Sequence, residues 1–456
     1  MSVVKFHDYL SAPNLIKIAQ KYFLNIAEPR KRVARKFDLL SFLMSGIAIF
    51  FLKFDSLLSF SEDNENTRHN LENIFGILDV PSDTHFRKIV DKIETNKLEG
   101  IFKYYFNLVK EKEVLEKYYI FDKYLPVAID GTGFFQSNEV HCEKCLEKKS
   151  KNGKLSYEHQ ALPAVIINPY QKEVFPIGIE FIEKQDGETK NDCERNASKR
   201  LVKKLHSTYP DEKFIIVEDS LSSNVPHVCE LILNKMSFML GIKPGDHKKF
   251  FEKLFEIEQG GMIMKHEIFE EDNKEKRSWE FKFKNCMNLC QDDKKEEVYV
   301  NYFEVIEKIY NKKNKEEKTI KFSWITAFPI TKQNIFELMK IGRARWMIEN
   351  ETFNTLKNQG YNFEHNYGHG LKYLTNNMCI FLFVAFLIDQ IQQHCCKLFQ
   401  ILRNTFIAKK KVWDILRYHF ISKLHHSLYD IYIEVASLSS KNRISLGIES
   451  LDFDSC

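Results

Sequence analysis

Three acidic residues stand where acids are costly. Asp130 lies in the apolar run 126–133 (PVAIDGTG), and Asp219 ends a second one, 214–219 (FIIVED). A carboxylate at the end of a core strand must cap a turn, pair with a charge or bind a cation. If the two strands are parallel neighbours, their ends bring Asp130 and Asp219 together. Two close carboxylates repel, a divalent ion relieves that repulsion, and an all-oxygen site suits Mg²⁺ or Mn²⁺. The plainer alternative is that each Asp only caps its turn. The third acid, Glu349, falls inside a helix expected over 332–357. Arg345 and Glu349 are four residues apart and share a face. Phe353 and Leu356 continue that face, so this side of the helix packs against something. Glu351 is a rival third acid, but it lies about 200° round the helix from Glu349, so both cannot serve one metal.

The elements that must position these groups follow from periodicity. Apolar residues recur at helical spacing through 15–23, 39–54 and 86–109, and Pro81-Ser82-Asp83 is a helix start. From residue 125 the pattern becomes strand (126–133), strand (161–168), strand (174–182), helix (192–209), strand (214–219), helix (226–235), strand (237–243). That order is mixed α/β with a central sheet. Alternating segments such as 279–283 and 298–303, separated by charged turns at 270–277, 291–297 and 311–318, make a β-rich insertion. A strand at 322–328 leads into the Glu349 helix, and the chain is mostly helical from Tyr373. No repeat at a fixed period is present.

Composition narrows the function classes. Of 456 residues, 44% are hydrophobic and 13% aromatic, which excludes low-complexity disorder. The ten cysteines are scattered and Met1 to Tyr9 lacks a secretory pattern, so a reducing cytoplasm is expected. The apolar stretches 39–52 and 378–388 are shorter than the roughly 20 residues that span a bilayer, and read as buried core helices, with no membrane partner. Nothing matches a P-loop or a dinucleotide fingerprint, which argues against ATP or nicotinamide chemistry. A net charge of +4 predicts no partner by itself. Local basic density is more telling: Arg30, Lys31, Arg32, Arg35 and Lys36 put five cations in seven residues. They form either a phosphate-contacting patch or a solvated helix face. Arg403, Lys409, Lys410, Lys411, Arg417 and Lys423 form a second basic region, interrupted by Asp414.

Taken in order, Ile129-Asp130-Gly131-Thr132, Val217-Glu218-Asp219-Ser220 and Arg345-Trp346-x-Ile348-Glu349 resemble the DDE-type insertion-sequence transposases, whose last acid lies in a tyrosine–arginine–glutamate–lysine signature. The resemblance spans about 126–393. It implies a ribonuclease-H-like α/β mixed sheet with a β-rich insertion, flanked by helical N- and C-terminal regions. The expected divisions are a helical DNA-binding region (1–120), the first part of the catalytic core (121–245), the insertion (246–321), the rest of the core (322–393) and a helical C-terminal region (394–456). It further implies Mg²⁺ or Mn²⁺ held by Asp130, Asp219 and Glu349. The activity would be hydrolysis of phosphodiesters at transposon ends, followed by attack of the released 3′-hydroxyl on target DNA. Double-stranded DNA is then the partner, a homodimer joins two ends, and the setting is a prokaryotic cytoplasm with its nucleoid. Arg345 would contact a phosphate or hold Glu349, Lys357 would clamp flanking DNA, and Arg30, Arg32 and Arg35 would add affinity. The chain departs from the signature at Gly342, where the tyrosine belongs, and at Lys357, one position late for the lysine. A DNA-binding relative that no longer cuts, and a zinc-stabilised interaction protein without catalysis, are the alternatives.

The zinc alternative rests on His141-Cys142-Glu143-Lys144-Cys145, with His159 and Cys193 later. Cys-x-x-Cys plus a histidine has zinc-ligand spacing, but the fourth ligand is missing, and adjacent His141 and Cys142 do not easily bind one ion. Reduced cysteines in a long loop are the preferred reading here. The acids of 190–194 (KNDCE) open a helix, as its dipole favours, and a catalytic role comes second. Residues 362–370 (NFEHNYGHG) form a loop at the site's edge, with a metal role for His365 or His369 weighed and placed second. Cys286 with Cys290, and Cys395 with Cys396, lack partners at convincing spacings.

Overall fold

The computed structural model describes residues 9–30, 37–61, 65–121, 123–150, 152–184, 193–289, 297–406 and 408–439. Helices come first: α1 (Ala12–Phe23), α2 (Leu39–Phe51), α3 (Leu57–Ser61), α4 (Glu65–Asn70), α5 (Asp83–Val90) and α6 (Thr95–Glu111). The sheet region follows with β1 (Tyr124–Ile129), β2 (Thr132–Ser137), β3 (Leu146–Lys149), β4 (Leu155–Ile166), β5 (Phe175–Ile182), α7 (Glu194–Thr208), β6 (Lys213–Glu218), α8 (Val225–Leu233) and β7 (Ser237–Gly241). After α9 (Lys248–Gln259) come the long strands β8 (Met264–Glu271), β9 (Glu275–Asn288), β10 (Tyr299–Asn311) and β11 (Glu316–Thr326). The chain closes with α10 (Ile335–Ala344), a π-helical turn (Ile348–Phe353), α11 (Asn354–Asn358), α12 (Leu374–Cys395), α13 (Lys397–Thr405), α14 (Lys409–Ser422) and α15 (Leu428–Ala436). The architecture is mixed α/β, as the sequence pattern implies.

All eleven strands belong to one mixed sheet. β1 and β6 are parallel neighbours, with Ala128 opposite Val217, and β7 continues parallel beside β6. β4 runs antiparallel along the other side of β1 and carries β5. The run 126–133 is not one strand: it breaks at Asp130-Gly131 into β1 and β2. Register survives the break, since Ile129 faces Ala164 and Thr132 faces Ala161 on the same strand β4. A carboxylate and a glycine thus interrupt an edge that is otherwise continuous.

β8 to β11 are consecutive antiparallel neighbours and not a separate layer. β11 pairs with β7 through Trp324, Ile325 and Thr326, so the insertion extends the central sheet and its last strand runs into it. The charged turns expected near 270–277 and 311–318 hold the hairpin connections β8–β9 at 272–274 and β10–β11 at 312–315, while their flanking residues pair within the strands. The one expected at 291–297 lies largely outside the described residues.

The two apolar stretches are core helices. α2 and α12 pack together so closely that a Cβ on Gly46 would lie 2.5 Å from the Phe381 ring. α12 is long and apolar enough to cross a membrane by length and composition, but its apolar window is entirely buried in the protein, against α1, α2, α6 and β5. Its N-terminus is capped from elsewhere: the Asp91 carboxylate accepts the N–H groups of Leu371, Lys372, Tyr373 and Leu374 at 2.8–3.0 Å. An anion at a helix start satisfies its free donors and its dipole. Asp91 lies in the short connection where 86–109 divides into two helices, α5 and α6.

Candidate active site

β1 and β6 end side by side, and the next residues are Asp130 and Asp219. Both begin sharp turns. Asp130 Oδ1 accepts from the Gly131 N–H at 3.0 Å and Asp219 Oδ1 accepts from the Leu221 N–H at 2.9 Å. Each Asp therefore caps its turn with one oxygen and keeps the other for something else. For Asp130 that partner is Arg345, whose Nη1 donates to Oδ2 at 2.9 Å, while Nη2 reaches Glu349 Oε1 at 2.8 Å. The sheet's two acids and the helix's acid, separated by more than a hundred residues, meet at one place.

Glu349 sits in the π-helical turn Ile348–Phe353. Such turns are frequent at functional positions, though a second one, Leu71–Phe75, lies in the N-terminal helical region. The expected single helix over 332–357 is therefore α10, the π turn and α11 in succession. Ile348, Phe353 and Leu356 are buried, as the apolar face requires, and Glu349 keeps 45% of its side chain exposed. Glu351 is directed elsewhere. It lies in the field of Lys409, whose pKa is lowered by burial and partly restored by Glu351.

A fourth carboxylate joins them. Glu194, the first residue of α7, packs on the Asp130 turn so tightly that a Cβ on Gly131 would lie 2.8 Å from its Oε2. Burial, then the neighbouring charges of Asp130, Asp219 and Glu218, push the Glu194 carboxyl up to about 7 against the pull of the Gly131 N–H. Burial also pushes Asp130 up to about 6; the Arg345 guanidinium opposes this, and Glu349 and Asp219 add to it. Four acids face one guanidinium, so the cluster carries an excess of negative charge. Among the described residues, Asp130, Asp219 and Glu349 do not form a group whose ligand atoms all lie within 4.8 Å of one another. Hard oxygen donors of this kind fit Mg²⁺ or Mn²⁺.

Behind Asp219, the buried Glu218 accepts from Ser198 Oγ at 2.9 Å and pairs with His227 Nε2 at 2.5 Å. Burial lowers the His227 pKa, but Glu218 more than offsets it, so the net shift is upward. This network ties the end of β6 to α7 and α8 and fixes where Asp219 stands.

The other sequence candidates fall into place unevenly. Lys357 pairs with Glu364 at 2.7 Å and its side chain is about a third exposed. Arg30 is turned inward: it forms a two-pronged pair with Glu28, with both bonds 2.7 Å long, and donates to the Phe37 carbonyl at 3.0 Å. Arg32 and Arg35 lie outside the described residues. In the second basic region Arg403 donates to the Phe406 carbonyl, Arg417 to the Lys53 carbonyl and Asp414, and Lys423 pairs with Glu434. These three cations are engaged within the fold. Trp346, beside Arg345, is 65% exposed, unusual for so large an apolar ring.

The cysteine–histidine run makes a second cluster. Cys142 and Cys145 Sγ atoms are 3.8 Å apart and both contact His159 Nε2, at 3.3 and 3.2 Å. His141 is not part of it: its ring stacks on Tyr157 and its Nδ1 meets the Glu139 carbonyl. Cys193 is exposed, and neither His365 nor His369 belongs to a group of metal-ligand atoms all within 4.8 Å of one another among the described residues. Compared with protein-family models and with curated proteins, the chain matches none of them.

Proposed function

We propose that this chain is a DDE transposase with a ribonuclease-H-like catalytic core, cutting DNA at transposon ends and joining them to target DNA. The observation that carries this reading is the meeting of Asp130 and Asp219, at the ends of adjacent parallel strands, with Glu349 from a helix that follows a β-rich insertion. A structural set of turn caps would not need the third acid, delivered from across the chain by an arginine bridge. Position supports it too. The insertion strands β8 to β11 lie between the second Asp and the Glu, where the resemblance expects them.

Asp130, Asp219 and Glu349 would hold Mg²⁺ or Mn²⁺, which activates water and stabilises the leaving oxygen in an in-line displacement. The protein's own groups have separate tasks. Arg345 holds Asp130 and Glu349 in register and offers a guanidinium to a phosphate that approaches the same edge. Glu194 packs against the Asp130 turn and adds a fourth carboxylate beside the reacting groups. The exposed Trp346 ring provides a flat face for a base or sugar at the mouth of the site.

The test uses the full chain, Mg²⁺ or Mn²⁺, and duplexes taken from the DNA that flanks its own coding sequence. The expected result is metal-dependent nicking that leaves a 3′-hydroxyl, joined in a second step to a plasmid, with Asp130→Asn inactive. DNA that is bound tightly yet stays intact with either metal would overturn the enzymatic reading.

A further inference from the structure

We propose that Cys142, Cys145, His159 and His369 form a structural zinc site, independent of the carboxylate centre and of the transposase reading. Three ligand atoms are already in place. A tetrahedral zinc with Zn–S of about 2.3 Å and Zn–N of about 2.0 Å separates two sulfurs by about 3.8 Å and a sulfur from a nitrogen by about 3.5 Å. The observed separations are 3.8 Å between the sulfurs and 3.3 and 3.2 Å from sulfur to His159 Nε2. The triangle is thus one face of such a tetrahedron. It is built by two different segments, the turn between β2 and β3 and the middle of β4. Two thiols and an imidazole held this close, in a partly buried position, are a soft donor set that selects zinc over the hard cations of the carboxylate centre.

The fourth ligand comes from 210 residues further on. His369 has both ring nitrogens buried with no hydrogen-bond partner among the described residues, although a buried imidazole ordinarily finds one. Its ring lies 5.2 Å from that of His159, centre to centre, and edge-on to Phe135. The segment that carries it is firmly held. The His369 carbonyl accepts from Thr375 Oγ1 at 2.8 Å, and the N–H groups of Leu371, Lys372, Tyr373 and Leu374 are bound by Asp91. Gly368 and Gly370 on either side have φ of +122° and +68°, backbone that side chains rarely adopt. Its nitrogens are not within 4.8 Å of all three ligand atoms, so the ring has to move toward the triangle to close the tetrahedron. A bound ion would satisfy the orphaned nitrogen and clamp the loop after the Glu349 helix onto β4.

The experiment measures metal content and zinc affinity of the full chain, purified without chelator, beside three variants. Wild type should carry about one zinc per chain and, in the Co²⁺ form, show thiolate-to-metal charge transfer with tetrahedral d–d bands. Cys145→Ser should lose the metal. His369→Ala should bind zinc more weakly, by more than the roughly 10–100-fold that losing an outer partner costs. His141→Ala should be unchanged. Should the cysteine variant fail to fold, wild type alone decides: stripped of metal, two further thiols should react with a thiol reagent, and added zinc should protect both. A chain that takes up no zinc after stripping, or that holds Cys142 and Cys145 as a disulfide under reducing purification, overturns the site. Zinc affinity unaltered in His369→Ala overturns the fourth ligand.

Discussion

The Arg345 guanidinium donates to Asp130 at 2.9 Å, joining the helix that carries Glu349 to the end of the first strand. Its second nitrogen holds Glu349. A lysine cannot reproduce that fork, because its ammonium is a single point charge. Arg345→Lys should therefore lower single-turnover cleavage by about 10–100-fold, the worth of one charge-assisted hydrogen bond at roughly 1.5–3 kcal/mol. Arg345→Ala should lower it further. A lysine variant that cuts at the wild-type rate would remove Arg345 from its bridging role.

Asp130→Asn, Asp219→Asn and Glu349→Gln should each reduce cleavage to background while DNA binding persists. Glu351→Gln should retain most activity, since Glu351 lies in the field of Lys409. The four variants are compared on pre-nicked and intact duplexes across Mg²⁺ concentrations. An inactive Glu351→Gln beside an active Glu349→Gln would assign the third carboxylate to the wrong glutamate.

The crowded acids also set a pH dependence. Asp130 and Glu194 have folded pKa values of about 6 and about 7, above their ordinary values of 3.8 and 4.5. Between those limits each of these two groups binds more protons in the folded chain than in the unfolded one, so their contribution to metal-free stability falls as pH rises from about 4 to about 7. Glu194→Gln should raise the metal-free Tm at pH 8 and leave it little changed at pH 4. Mg²⁺ or Mn²⁺ should stabilise wild type more at pH 8 than at pH 5, because protons compete for the ligands. Thermal melts at several pH values, with and without metal, check this; a Glu194→Gln variant whose metal-free Tm differs from wild type by the same amount at pH 4 and at pH 8 would contradict it.

Lys53 and Asp389 form a pair buried in the helical core, 2.6 Å apart, and Lys53 also lies against the rings of Tyr361 and Trp413. Burial lowers the Lys53 pKa to about 8, with Asp389 opposing. Lys53→Met should cost about 3–5 kcal/mol by leaving Asp389 unpaired, and Lys53→Met with Asp389→Leu should recover much of that loss. Denaturant unfolding of both variants provides the measurement. Equal losses in the single and double variants would show that the ion pair itself is not what the core needs.

Arg30→Ala should change stability more than DNA affinity, because its guanidinium is spent on Glu28 and on the Phe37 carbonyl just before α2. The salt dependence of DNA binding should keep its slope, as no counterion is released on account of an internally paired cation. A slope lower by about one would return Arg30 to the DNA surface.

The acids at strand ends were legible because β1 and β6 are buried on both faces and so read as unbroken apolar runs. The Arg345–Glu349 face was legible from helical spacing. Glu194 was not, because an acid at a helix start has a local explanation that hides a tertiary one. β2 and β3 were missed for a related reason: β3 is Leu-Glu-Lys-Lys, three of its four residues exposed, and no apolar period marks it. His369 belongs with Cys142, Cys145 and His159 only in space. Motif spacing reads ligands that are close along the chain, and a ligand delivered by a distant loop leaves no such trace.

The burial of α12 sets an order of events during synthesis. Its partners α1, α2 and α6 leave the ribosome early, with apolar faces such as that of Gly46 shaped to receive Phe381. The helix that fills them is made more than 300 residues after α2, a delay of roughly 20–70 s at ordinary elongation rates. Over that interval the first hundred residues have no native cover for their largest apolar surface. The carboxylate centre is completed by Glu349 shortly before α12 emerges, so a nascent chain acquires its acids before it can close its core.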